Sequence, residues 1–110
     1  MANTEQYDSI LKNLVRNYAA YKPSHGQIES KALIDPESRQ YEVLHVGWDG
    51  DRRVHGSILH LEIRDGKIWI QYDGTSPGIA EDLLKAGIPK ESIVLGFHPA
   101  PLRKYTGFSA

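Results

Sequence analysis

The 110-residue chain predicts an α+β fold: an antiparallel sheet of about four strands, with an N-terminal helix and a second helix packed on one of its faces. Three observations predict it. The chain opens on an amphipathic stretch. Two runs of strict period-two alternation flank the pair Asp65-Gly66. A segment with helix start and stop signals follows the second run.

The first helix spans about Thr4 to Tyr21, where Tyr7, Ile10, Leu11, Leu14, Val15, Tyr18 and Tyr21 recur at helical spacing as one apolar stripe. Asn3 with Gln6 has the form of a capping box, and Thr4 is the rival cap. Lys22-Pro23 stops the helix, because proline disfavours helical geometry in the residue before it. Ser24, His25 and Gly26 read as loop.

Gln27 to Asp35 alternates weakly and reads as a strand, closed by the turn Asp35-Pro36-Glu37-Ser38. Tyr41 to Trp48 is apolar on both faces, which suits an interior strand. After the turn Asp49-Gly50-Asp51 the apolar phase shifts. Val54 and Ile58 share one parity, whereas Leu59, Leu61 and Ile63 share the other. Gly56 lies at the shift and suggests a β-bulge there.

The central hairpin is the strongest local signal. Asp65-Gly66 suits a type I′ turn, with Gly66 supplying positive φ at no steric cost. A two-residue loop pairs Ile63 with Ile68, Leu61 with Ile70 and Leu59 with Tyr72, so all six fall on one face. The other face then carries Glu62 opposite Trp69 and His60 opposite Gln71. Beyond it, Ser76 suits a helix N-cap and Pro77 the first helical position, with Glu81 and Asp82 in the early turn. Ile79, Ala80, Leu83 and Leu84 form a buried stripe. Gly87 suits the C′ position, and Pro89 prevents continuation. Ile93 to Leu95 reads as strand or buried loop, and Leu102 to Tyr105 as one last helical turn.

Composition narrows the function. The length suits a single domain over 1–110. There is no cysteine, which removes disulfides and thiolate chemistry and fits a reducing cytoplasm. No apolar run reaches the ~20 residues of a membrane span. The formal charge of −1 argues against a protein that grips DNA by itself, which usually carries a basic excess.

Each candidate motif has an ordinary reading beside it. Gly74-Thr75-Ser76-Pro77-Gly78 matches G-x-S-x-G, but the residue after the serine must offer a backbone N–H to the oxyanion, and Pro77 has none. Ser76 is therefore read as a cap. With a bulge, His55 and His60 share a face from which they could hold a metal along with Glu62, yet no spacing of the H-E-x-x-H kind accompanies them. Asp49-Gly50-Asp51 fails as a calcium loop at Arg53 and Val54. Arg52-Arg53 beside Trp48, and Arg103-Lys104 beside Tyr105, suit phosphate contact with stacking, or simply solvated turns. Trp69 lies on the polar hairpin face. Either a loop or the C-terminal segment covers it, or it belongs to a protein interface, where tryptophan is enriched.

The segment Gly66 to Pro99, GKIWIQYDGTSPGIAEDLLKAGIPKESIVLGFHP, followed by RKYTGFS from Arg103 to Ser109, closely resembles the XisI family, the cyanobacterial fdxN-element excision controlling factors. The resemblance extends to the first helix and to DPESRQYEVLHVGWDGDRRVHG. It implies an accessory, regulatory role in DNA rearrangement, exerted through an XisH-like protein partner, with the recombinase and DNA associated indirectly. It carries over no catalytic or ligand-binding residue. The expectation is a non-enzymatic, cytoplasmic module with no cofactor and no metal, binding its partner through Trp69, with Arg103, Lys104 and Tyr105 as second choice. Direct DNA binding and a small metal enzyme on His55, His60 and Glu62 are the alternatives, and homo-oligomerisation stays open.

Overall fold

The turn at Asp65-Gly66 forms as the sequence predicts. In the computed structural model, which describes residues 4–21, 23, 26–76 and 78–109, both residues have positive φ, 54° and 75°, as a type I′ turn requires. They join two antiparallel strands of a larger sheet. The chain runs α1 (Thr4–Ala19), β1 (Gln27–Asp35), β2 (Gln40–Asp49), β3 (Arg52–Arg64), β4 (Lys67–Asp73), α2 (Ile79–Lys85), β5 (Ile93–Leu95) and α3 (Ala100–Arg103), with a 3₁₀ turn at Lys90–Ser92. The Asn3 cap, the Lys22 stop, the Ser24-His25 loop and Pro77 at the helix start lie outside the described residues.

Among the described residues the sheet has five strands in the order β1-β2-β3-β4-β5. The first four form the expected antiparallel meander. β5 corrects the all-antiparallel expectation: it pairs parallel to β4, Ile68 with Ile93 and Ile70 with Leu95. A parallel neighbour needs a crossover of a dozen or so residues, and α2 supplies it. Three residues of β5 were too few for alternation to reveal their direction.

Both helices cover the same face. Tyr7, Leu11 and Val15 of α1 join Ile79 and Leu83 of α2 over Tyr41, Val43, Leu59, Leu61, Ile68, Ile70 and Ile93 in one buried cluster. Burying each of these large aliphatic side chains contributes about 1.5–3 kcal/mol. Tyr18 Oη donates to Asp82 Oδ2 at 2.7 Å and ties the two helices together. Tyr41 Oη donates to Asp8 and ties α1 to β2. α1 stops at Ala19, so Tyr21, expected in the apolar stripe, is instead exposed.

Two bulges adjust the strands. Val43 faces Leu59 but Leu44 faces Ser57, so Ile58 is the extra residue of β3. The phase shift is as predicted, but its seat is Ile58, not Gly56, which pairs normally with His45. There the Ile58 side chain packs against the core, and its carbonyl accepts the Gly74 N–H at 2.7 Å. In β4, Leu61 faces Ile70 but His60 faces Tyr72, leaving Gln71 as the extra residue. Five of the six hairpin residues expected on the core face are buried there. Tyr72 is not: the bulge turns it away, opposite His60, and it is half exposed.

The start of α2 also differs from expectation. Ser76 is exposed, and the capping position is Gly78, which has no side chain to offer. Asp73 does the work from the end of β4. Its Oδ2 accepts the Ile79 N–H at 2.9 Å, and its Oδ1 accepts the Thr75 N–H at 2.9 Å and the Thr75 hydroxyl. At the other end, Gly87 (φ 94°) donates to Leu84 O and Ile88 donates to Leu83 O. That pair of bonds is a Schellman stop with glycine at C′, as read from the sequence.

Candidate functional site

With α1 and α2 on one face, the opposite face of β2, β3 and β4 is largely open, and polar side chains link its strands. His60 Nε2 shares a hydrogen bond with Gln40 Oε1 at 2.6 Å. Gln71, on this face as the alternation predicts but left without a cross-strand partner by the bulge, donates to Glu62 Oε1 at 2.9 Å. Glu62 faces Trp69 across the hairpin, as predicted.

Trp69 lies at the centre of a cationic arrangement. The guanidinium carbon of Arg64 is 4.8 Å from its ring centroid, and that of Arg103 is 5.0 Å away. Each such contact is worth about 0.5–1 kcal/mol where water has access. Arg103 comes from α3 and is held by its Nε–H, which donates to His98 O at 3.0 Å. The chain reaches that point by passing close over the ring. Gly96 N–H donates to Ile70 O at 2.9 Å, and a Cβ on Gly96 would lie 2.8 Å from Gln71 Oε1 and 3.2 Å from Trp69 Cε3. Only glycine permits that crossing without displacing the neighbours.

Of the two readings of Trp69, the structure shows the first in part: the C-terminal segment reaches its ring and leaves it half-buried. The Nε1–H is shielded and has no hydrogen-bond partner among the described residues. Beyond it, Ser109 forms a parallel bridge with Val94 and accepts a hydrogen bond from Lys67 Nζ at 2.7 Å. Trp69 and Arg103 are thus brought together. Lys104 and Tyr105 are not: they pair with each other, the ammonium 5.2 Å from the phenol ring, and Tyr105 is 76% exposed. Sequence reasoning missed Arg64 and Gly96. Arg64 was within reach, since it faces Lys67 and is diagonal to Trp69 in the predicted register.

A second aromatic–cation pair lies at the far end of the same face. Arg53 faces Trp48 directly and its guanidinium is 5.2 Å from the ring. They border a shallow depression of about 620 Å³ with Pro23, Gly26, Gln27 and Glu29. His55 and His60 do share the open face, since they face Val46 and Glu42 of β2. His60 is committed to Gln40 and Glu62 to Gln71. Among the described residues no three His, Asp or Glu side chains converge as metal ligands.

Three of the displaced pKa values belong to the helix side, and the fourth, Asp35, is lowered by the Ser38 hydroxyl in the turn after β1. Burial, reinforced by Asp82, raises Tyr18 to about 12, and burial, reinforced by Asp8, raises Tyr41 to about 12. The Tyr41 hydrogen bond, aided by Lys12, lowers Asp8. What the described residues of the open face offer is stacking, charge and hydrogen bonds.

Fold and site together define a small α+β domain in which α1 and α2 seal one face of a mixed sheet, and the other face carries two aromatic–cation clusters. The family model described as XisI protein matches residues 1–110. The crystal structure of a XisI-like protein from Anabaena variabilis ATCC 29413 is similar with a TM-score of 0.91 and 36% identity, over 97% of this chain and 98% of that one. That of the fdxN element excision controlling factor XisI from the same strain is similar at a TM-score of 0.82 and 35% identity, over 97% of each chain. A search of curated proteins found no match. The chain belongs to the XisI family.

Proposed function

We propose that this chain is a non-enzymatic accessory factor that controls site-specific DNA excision by binding a protein partner, an XisH-like chain, in the cytoplasm. The observation that carries the reading is Trp69: a half-buried indole flanked by two guanidinium groups on an otherwise uncovered sheet face. Tryptophan and arginine are the residues that dominate binding energy at protein interfaces. Arg64 and Arg103 form the centre with Trp69, and Lys104 and Tyr105 stand at the rim. The family's association with an excision controlling factor supplies the process.

A pull-down of the XisH-like chain at micromolar concentration tests it. Trp69→Glu lowers that affinity by about tenfold or more, the effect of losing one interface anchor. Failure of the wild-type protein to bind sinks the proposal, and an unaffected Trp69→Glu variant sinks the placement. Direct DNA binding is the second reading, favoured by Arg53 over Trp48 at the far end of the face. Its signature is affinity that falls steeply with salt, read by gel shift across a salt series.

A further inference from the structure

We propose that two copies of this chain join β1 to β1, antiparallel, about a two-fold axis through Ser30, making one continuous sheet. The partner is a second copy, and the contact is independent of the Trp69 face.

The two edges of the sheet differ. β5 is short, and the C-terminal segment closes on it through the bridge between Val94 and Ser109. β1 is nine residues long, has β2 on one side, and has no strand on the other among the described residues. A long bare edge is a template for another strand, and proteins commonly guard one with a lysine in its middle. Lys31 stands there, exposed. It is a guard against most strands but not against this one.

A two-fold axis perpendicular to the sheet keeps the helices of both copies on one side, so only a few registers satisfy it. Centring on Glu29 or on Lys31 sets like charges directly opposite each other. Centring on Ala32 sets Glu29 against the second copy's Asp35. Centring on Leu33 pairs Lys31 with Asp35 but leaves only the end of the strand in the ladder, and Asp35 already accepts the Ser38 hydroxyl at 2.8 Å. Centring on Ser30 sets Glu29 against Lys31 of the second copy, and Lys31 against its Glu29, on the exposed face. Neither residue has an ion-pair partner within its own chain among the described residues. Opposed side chains of a sheet stand about 4.5–5.5 Å apart at Cβ, close enough for such pairs to form.

The other face of β1 gives the same register from a different observation. Ser30 Oγ is shielded from solvent and has no hydrogen-bond partner among the described residues. On the axis, rotation about χ1 turns it toward the Ser30 hydroxyl of the second copy, and one donates to the other. Buried hydroxyls are almost always satisfied, so an orphan at the edge marks where its partner arrives. Ile28 then faces the second copy's Ala32 on the helix side. Both Trp69 faces end on the same side of the joined sheet.

Sedimentation equilibrium of the full chain tests the pairing, with a dimer expected at tens of micromolar. Glu29→Lys and Lys31→Glu each raise the dimer dissociation constant by about tenfold or more, because two attractive pairs become repulsive. The double variant restores the dimer, since the charges again complement. The chain has no cysteine, so Ser30→Cys forms an intermolecular disulfide under mild oxidation and Leu33→Cys does not. A wild-type monomer throughout that range, or single reversals without effect, overturns the pairing. Crosslinking through Leu33→Cys in place of Ser30→Cys overturns the register.

Discussion

Asp73 shows how much one side chain decides. It ends β4, yet its carboxylate organises the loop and the first N–H of α2. A negative charge there also complements the helix dipole. Asp73→Ala lowers unfolding free energy by about 1 kcal/mol or more, the usual loss of a cap, whereas Ser76→Ala changes it by less than about 0.5 kcal/mol. Urea unfolding of both variants reads the contrast, and the reverse order removes Asp73 from this role. The buried phenols give a second residue-scale test. Tyr18 and Tyr41 rise from 10.0 to about 12 in the folded chain. A raised pKa means stability that is full below pH 10 and lost as pH climbs through about 12. An absorbance titration of tyrosinate shows two late phenols in the folded protein, and Tyr18→Phe removes one of them. Asp8, lowered by its Tyr41 hydrogen bond, acts at the opposite end: its contribution is present above pH 3.8 and fades as pH falls below it.

Among the elements, the strands are set by close backbone approaches as much as by side-chain alternation. Gly47 of β2 faces Ile28, and a Cβ there would lie 2.1 Å from Gln27 O. Gly47→Ala therefore forces β1 away from β2 at that end, and costs about 1–3 kcal/mol by overpacking. Hydrogen exchange of the β1 amides reports it, with protection lost near Gln27 and kept near Asp35. The hairpin register was legible because turn chemistry and alternation agreed at Asp65-Gly66. The bulge at Gln71 was not, because nothing in IQYD marks an extra residue. It becomes visible only when Gly74 binds Ile58 O and β4 must end beside the bulge of β3. One consequence is that Tyr72 leaves the core for the open face.

For the whole molecule, the C-terminal segment is the piece that turns a bare sheet into a site. It carries Gly96 past Trp69, brings Arg103 over the ring and ends on Val94. Truncation after Gly96 shifts Trp69 emission to the red and lowers stability, because Val94 and the indole gain water. Trp48, half exposed, is replaced by phenylalanine so that a single fluorophore reports. Emission that does not move places the cover elsewhere. The same segment closes the β5 edge, which leaves β1 as the edge open to another copy.

The sequence by itself determined what neighbouring residues settle between them: the α1 stripe, the type I′ hairpin, the glycine stop of α2 and the face that Trp69 occupies. These depend on φ preferences and on periods of 2 and 3.6 that repeat within a few residues. Tertiary structure alone decided the direction of β5, the use of Asp73 rather than Ser76 at α2, and the meeting of Arg103 with Trp69 without Lys104 or Tyr105. Those outcomes rest on contacts between segments distant along the chain. Local propensity carries no term for such contacts, and only closing the loops between the segments supplies one.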